Sequence, residues 1–95
     1  AYIPVGYSDG YPRSLSNKGL VLIKDRKCSI VGRVCMAWIL ADVTGLSGVK
    51  SGDEAILLGE GEGSRISAND MAQRAGMIPY EILCRISRRI VRVYV

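Results

Sequence analysis

The sequence predicts a mainly β domain: a small closed or nearly closed β-barrel-like fold with two short helices before the last strand. Three observations carry this prediction. Short runs rich in Val, Ile and Leu, bounded by Gly, Asn and Asp, recur through the first 60 residues, as brief strands joined by turns do. Helix-capping chemistry follows at residues 67–76, and a second helix start stands at Pro79. The chain closes with an Arg-interleaved apolar run over residues 88–95. Many short strands with two helices between the last of them suit a sheet that curls back on itself.

Residues 3–6 read as a first short strand, and Ser8-Asp9-Gly10 as a turn in which Gly10 supplies a positive φ. Pro12 and the Ser/Asn content make residues 11–18 a loop. Residues 19–24 alternate loosely as a strand, Asp25-Arg26 is a hairpin tip, and the return strand covers residues 28–34. Further strands are expected over residues 38–43 and 54–58, with residues 45–52 connecting them. Gly59-Glu60-Gly61-Glu62-Gly63 has the glycine density of a phosphate cradle. It lacks a following Lys-Ser/Thr, and its two Glu repel phosphate, so an exposed hairpin loop is the reading. Ser67 with Asp70 forms a capping-box variant. Met71, Ala72 and Ala75 give that helix an apolar face, and Gly76 ends it. Pro79 opens a second helix that runs through Leu83 or Cys84. In the last strand Ile90, Val91, Val93 and Val95 are available to the core.

Ninety-five residues make one domain, and a chain of this size buries only about two thirds of its unfolded surface, so its stability is modest. The chain is 48% apolar, with no Phe and one Trp. It is therefore globular rather than disordered, and branched aliphatic residues must fill its core. The net charge is +4, with a pI near 9.2. Cations concentrate only in Arg85-Ile86-Ser87-Arg88-Arg89-Ile90-Val91-Arg92, where they alternate with apolar residues as one side of a strand would. A basic balance alone does not indicate nucleic acid, and scattered arginines suit small anions such as carboxylate or phosphate. Cys28, Cys35 and Cys84 are widely spaced, with no His and no Cys-x-x-Cys. This excludes a zinc site and leaves buried free thiols in a reducing cytoplasm. No apolar run reaches the roughly 20 residues of a membrane span, and no stretch reads as a signal peptide. The opening run Ala1-Tyr2-Ile3-Pro4-Val5 reads as a cut from a longer protein.

Two Gly-punctuated signatures stand out: Gly6-Tyr7-Ser8-Asp9-Gly10-Tyr11-Pro12-Arg13 and Ile30-Val31-Gly32-Arg33-Val34-Cys35-Met36. Leu15-Ser16-Asn17-Lys18-Gly19, Gly52-Asp53-Glu54, Tyr80-Glu81-Ile82 and the basic last strand fall into line with them. In this order they resemble the carboxy-terminal domain of the alanine racemases, pyridoxal-phosphate (PLP) enzymes that interconvert L- and D-alanine. The resemblance covers residues 1–95 and implies that an amino-terminal α/β barrel, carrying the PLP-binding lysine, is absent from this stretch. It implies a cytoplasmic bacterial homodimer supplying D-alanine for cell wall, in which this domain covers the partner subunit's barrel.

The same resemblance implies roles for particular residues. Tyr7 would line the inner entrance of the active site, Arg33 its middle layer, and Ile78 its apolar wall. The Met36 backbone N–H would bind the carboxylate of the amino-acid substrate, and the Tyr80 phenol the PLP phosphate. Arg89 and Arg92 match basic positions of the last strand without a separable role. No catalytic residue falls here, because the second acid/base is a tyrosine in a VSYG-like segment just upstream; the fragment alone would be inactive. Without the resemblance, Tyr7 is a half-buried tyrosine on a turn, Met36 an apolar strand residue and Arg33 a surface arginine. The family usually reads Cys-Met-Asp-Gln where this chain has Ala37 and Trp38 after Met36. Loss of that carboxylate alters local charge and leaves open a racemase for another amino acid, such as serine. A non-enzymatic β module binding nucleic acid or a partner is the alternative from another class. It calls for aromatic residues along one sheet face, whereas the five Tyr and one Trp are dispersed.

Overall fold

The computed structural model describes residues 1–86 and 92–95. Strand β1 (Tyr2–Ile3) stops after two residues instead of continuing to residue 6. Pro4 has no N–H to give a ladder, and the Val5 N–H turns back onto the Ile3 carbonyl at 2.9 Å. A single 3-10 turn follows over Tyr7–Asp9, ended by Gly10 at φ 98°, and a second spans Arg13–Leu15 within the expected loop.

Strands β2 (Leu20–Ile23) and β3 (Arg26–Val31) form the central hairpin. Ile23 pairs with Arg26, so the tip is Lys24-Asp25, one residue earlier than the sequence suggests. Both tip residues have positive φ, 51° and 60°, as the two-residue type I′ turn requires. Strand β3 buries Cys28 and Ile30 and turns its other residues outward. It ends at Gly32, whose φ of 78° leaves the extended region before residue 34 is reached. Strands β4 (Ile39–Ala41) and β5 (Glu54–Ile56) are likewise shorter than expected.

The Gly-rich segment is a hairpin, as expected, with β6 (Gly59–Glu60) paired to β7 (Arg65–Ile66). Its backbone donors close on an anion from the same chain. The Asp25 carboxylate accepts the Gly63 N–H at 2.8 Å and the Ser64 N–H at 3.2 Å. A Cβ on Gly63 would stand 2.9 Å from that carboxylate.

Helix α1 (Ala68–Ala75) is capped in both directions: the Ser67 hydroxyl accepts the Asp70 N–H, and the Asp70 carboxylate accepts the Ser67 N–H, each at 3.1 Å. Met71, Ala72 and Ala75 are its buried face, and Gly76 closes it in the left-handed region. Helix α2 (Pro79–Arg85) runs slightly past the expected end and buries Ile82, with Ile86 following it into the core. Strand β8 (Arg92–Tyr94) is the described part of the last strand. Arg89, Ile90 and Val91 lie outside the described residues.

Among the described residues, six strands form one antiparallel sheet in the order β1-β4-β3-β2-β5-β8, curled into a nearly closed barrel. Branched aliphatics fill it as expected, led by Ile3, Val21, Ile23, Ile30, Ile39 and Leu57. Tyr11 joins them fully buried, and its hydroxyl meets no partner among the described residues. Burial therefore pushes the phenol's pKa far up. The three thiols are free, but only Cys28 is buried, which corrects the sequence expectation. Cys35 sits half-buried at a turn, and Cys84 is exposed, two residues from each of the inward-facing Ile82 and Ile86. Among the described residues no helix is long and apolar enough to cross a membrane, and no cluster suits a metal ion.

Two outcomes follow. Asp25→Ala removes the acceptor of two loop donors and places Ala at positive φ, so urea denaturation is expected to show a loss of about 2 kcal/mol. Asp25→Asn, which tolerates that backbone conformation, loses less. The bonds from Ser67 hold the Asp70 carboxyl below its ordinary 3.8. A depressed folded value means stability present above the unfolded pKa and lost as pH falls through the folded one. Asp70→Asn should therefore flatten the acid limb of the stability profile as pH falls through and below the ordinary carboxylate range.

Candidate functional site

The segment from Gly6 to Asp9 lies directly on the backbone of Cys35 and Met36. Tyr7 N–H donates to the Cys35 carbonyl at 2.9 Å, and Ser8 N–H to the Met36 carbonyl at 2.9 Å. The Ser8 hydroxyl adds a second bond to the Met36 carbonyl at 2.7 Å. No side chain fits between these backbones: a Cβ on Gly6 would overlap the Cys35 carbonyl and stand 2.5 Å from the Met36 oxygen. The segment is shaped by Asp9, whose carboxylate accepts the Gly6 N–H at 3.0 Å while its own N–H returns to the Gly6 carbonyl at 3.0 Å. On its far side Gly10 presses on the Arg85 carbonyl at the end of α2, where a Cβ would overlap it.

The opposing turn is closed by Cys35 N–H donating to the Trp38 carbonyl at 3.1 Å. Its approach is pinned by two loop residues. Asn17 Oδ1 accepts the Gly32 N–H at 2.7 Å, and Ser16 Oγ accepts the Val34 N–H at 2.8 Å. Arg33 is thus carried on a stapled stretch, exposed and without an ionic partner among the described residues.

Met36 is 59% exposed. Its carbonyl is held twice by Ser8, whereas its N–H meets no acceptor among the described residues, and neither does that of Ala37. The peptide that carries this N–H is anchored at its other end, where the Cys35 carbonyl accepts the Tyr7 N–H. A fixed, uncommitted N–H on a rigid turn suits an anion such as a carboxylate.

Two contacts at this patch were not legible in the sequence. The Arg13 guanidinium lies over the Tyr7 ring, 5.2 Å from its centroid, a cation–π geometry. Trp38 stacks on Tyr2 with ring centroids 5.8 Å apart and an interplanar angle of 22°. The only sequence signal was position: Arg13 ends the first signature, and Trp38 follows the second.

The structure brings Tyr7 and Met36 together and holds Arg33 nearby on the same run of chain. Ile78 and Tyr80 stand at the start of α2, the end opposite its contact with Gly10, and are 59% and 72% exposed. Among the described residues no hydrogen bond joins either of them to the Tyr7–Met36 pair, and the Tyr80 hydroxyl has no partner. Arg92 is engaged elsewhere, with Glu54 at 3.2 Å and the Glu60 carbonyl at 3.0 Å. A cavity of about 330 Å³ opens between α1 and the β2–β3 hairpin, lined by Tyr11, Lys27, Arg65 and Arg74 among others, and none of the expected site residues borders it.

Over residues 1–94 the chain matches the family model described as alanine racemase, C-terminal domain. This chain belongs to that family. It is 57% identical over 95 residues to the alanine racemase of Geobacter sulfurreducens, a match covering 99% of this chain and 25% of the relative. Among solved structures it resembles the Clostridium difficile 630 alanine racemase in complex with cycloserine: TM-score 0.80 and 43% identity, over 95% of this chain and 24% of that one. It also resembles the Bartonella henselae alanine racemase with covalently bound pyridoxal phosphate, with TM-score 0.79 and 37% identity over 94% and 24%. The chain thus spans about a quarter of the length of these relatives.

The close backbone contact at Gly6 yields a direct test. Gly6 has ordinary extended φ of −155°, so Ala brings no backbone strain, only the overlap. Gly6→Ala is expected to cost about 3 kcal/mol in chemical denaturation, at the upper end for an overpacked site.

Proposed function

We propose that this chain is the carboxy-terminal domain, residues 1–95, of a PLP-dependent alanine racemase, and that the Met36 N–H binds the substrate carboxylate. The observation that carries this reading is the Cys35–Met36 peptide, held by Tyr7 at its carbonyl and uncommitted at its N–H among the described residues, in a chain of this family. Relatives solved with covalently bound pyridoxal phosphate and with cycloserine support the cofactor and a small-molecule ligand.

The residues present fit the cofactor. Tyr80 is an exposed phenol with no partner among the described residues, able to donate to a phosphate oxygen. When bound, PLP supplies an electron sink that eases removal of the substrate α-proton. This chain's residues bind and exclude. Met36 N–H orients the carboxylate, Arg33 draws carboxylates toward it, and Tyr7, stiffened by Arg13 across its ring, narrows the approach. Ile78 adds an apolar wall. None of these groups moves the proton; that work falls to residues elsewhere in the whole protein.

The patch is an exposed surface rather than a cleft, flanked by the exposed apolar side chains of Val31, Trp38 and Leu40. Keeping water out therefore needs a second surface, which a barrel domain from the partner subunit of a homodimer would supply. The physiological setting we infer is a bacterial cytoplasm, with D-alanine directed to cell wall. Family membership favours this reading over a non-enzymatic β module. Serine is the second substrate to try, because Ala37 and Trp38 alter the wall beside Met36.

The decisive experiment follows α-proton exchange of L-alanine in D2O by the full-length protein loaded with PLP. Exchange accompanied by D-alanine is expected; none in a folded, PLP-loaded protein would overturn the alanine reading. Tyr80→Phe is expected to weaken PLP retention about tenfold, the loss of one charge-assisted hydrogen bond, with thermal unfolding unchanged.

A further inference from the structure

The Cys35–Trp38 turn is closed by one backbone hydrogen bond, from the Cys35 N–H to the Trp38 carbonyl, so its geometry depends on what holds each of its ends. Reorientation of the peptide entering Met36 would point the N–H elsewhere. Tyr7 holds that peptide from one side through its own carbonyl, that of Cys35, and Ser8 holds the following peptide through the Met36 carbonyl. The other restraint is the ring of Trp38.

Trp38 sits one residue before β4, and in the β1–β4 ladder Tyr2 pairs with Leu40. Positions 38 and 40 point to the same side, so Trp38 is the diagonal neighbour of Tyr2 across the ladder, within reach of a large ring. The two rings meet at 5.8 Å on the outside of the sheet, 37% and 56% exposed, so filling the core is not their role. Tyr2 belongs to the strand that leads, three residues after its own end, into the Gly6–Ser8 segment gripping Met36. A closed circuit results: Tyr2, the Gly6–Ser8 segment, the Cys35–Met36 backbone, Trp38, and Tyr2 again. Only the Tyr2–Trp38 link in that circuit is a contact between side chains alone.

We propose that Trp38 is a positioning residue which, by stacking on Tyr2, holds the Cys35–Trp38 turn so that the Met36 N–H faces a substrate carboxylate. The proposal rests on the function given above for Met36. Trp38 need not touch the substrate, and its effect belongs to carboxylate binding rather than to proton transfer.

The test uses the full-length, PLP-loaded protein. Trp38→Gln, and independently Tyr2→Ser, should raise KM for L-alanine about fivefold, the fold-change of one weakened hydrogen bond, with kcat within about twofold. Trp38→Phe, which can still stack, should stay near the parent value. The double variant Tyr2→Ser/Trp38→Gln should lose little beyond either single one, as coupled residues do. Amide hydrogen exchange at Cys35 should quicken in Trp38→Gln and not in Trp38→Phe. An unchanged KM with unchanged Cys35 exchange in folded Trp38→Gln would overturn the proposal, as would equal losses in the Phe and Gln variants. A parent inactive toward alanine and serine would sink the racemase reading instead. Propionate protection of the Met36 amide, present in the parent and lost in Trp38→Gln, would still support the positioning role. Protection equal in both, or absent from both, would overturn it.

Discussion

At Gly6 the backbone runs so close to the Cys35 and Met36 carbonyls that no side chain fits between them, and this closeness joins three parts of the fold. The edge strand β1 leads into the segment; the Cys35–Met36 turn receives it through paired hydrogen bonds; Gly10 then seats the same segment on the carbonyl at the end of α2. A side chain at either glycine would separate surfaces that carry the expected site residues. Backbone hydrogen bonds between such surfaces each contribute little net free energy, about 1 kcal/mol, but they specify geometry closely. The orientation of the Met36 peptide is therefore a property of the whole edge of the barrel, the Tyr2–Trp38 stack included.

Much of the architecture was legible in the chain because its signals are local. The reciprocal cap of α1 needs only Ser67 and Asp70, three residues apart, and Pro79 announces α2 by chemistry confined to its own ring. The hairpin tip slipped by one because Arg26 pairs with Ile23 in the ladder and Lys24 takes the positive φ in its place, which a lysine does not announce. Strand ends were overestimated wherever an apolar run outlasted its partner, as at Val5 after Pro4 and at Val34 after Gly32.

For the site, resemblance supplied a set of residues, and the physical link between them came from tertiary contacts. Tyr7 and Met36 are 29 positions apart, and nothing local tells that their backbones touch. Arg13 over Tyr7 and Trp38 on Tyr2 are likewise ring contacts made across the fold. The Gly-rich run shows the reverse case. Its composition invited comparison with an anion-binding loop, and it does wrap an anion, but one that belongs to the chain itself.

The uncommitted N–H at Met36 is supplied by the main chain, and every amino acid but proline carries one. Exchange of the Met36 side chain therefore leaves the donor in place, whereas Gly6 admits no larger residue without moving the turn. Mutational tolerance at this surface should run opposite to apparent chemical importance: permissive at the residue that would meet the ligand, strict at the featureless one behind it. A ligand held through such a donor would be hard to evade by replacing the side chain it lies against.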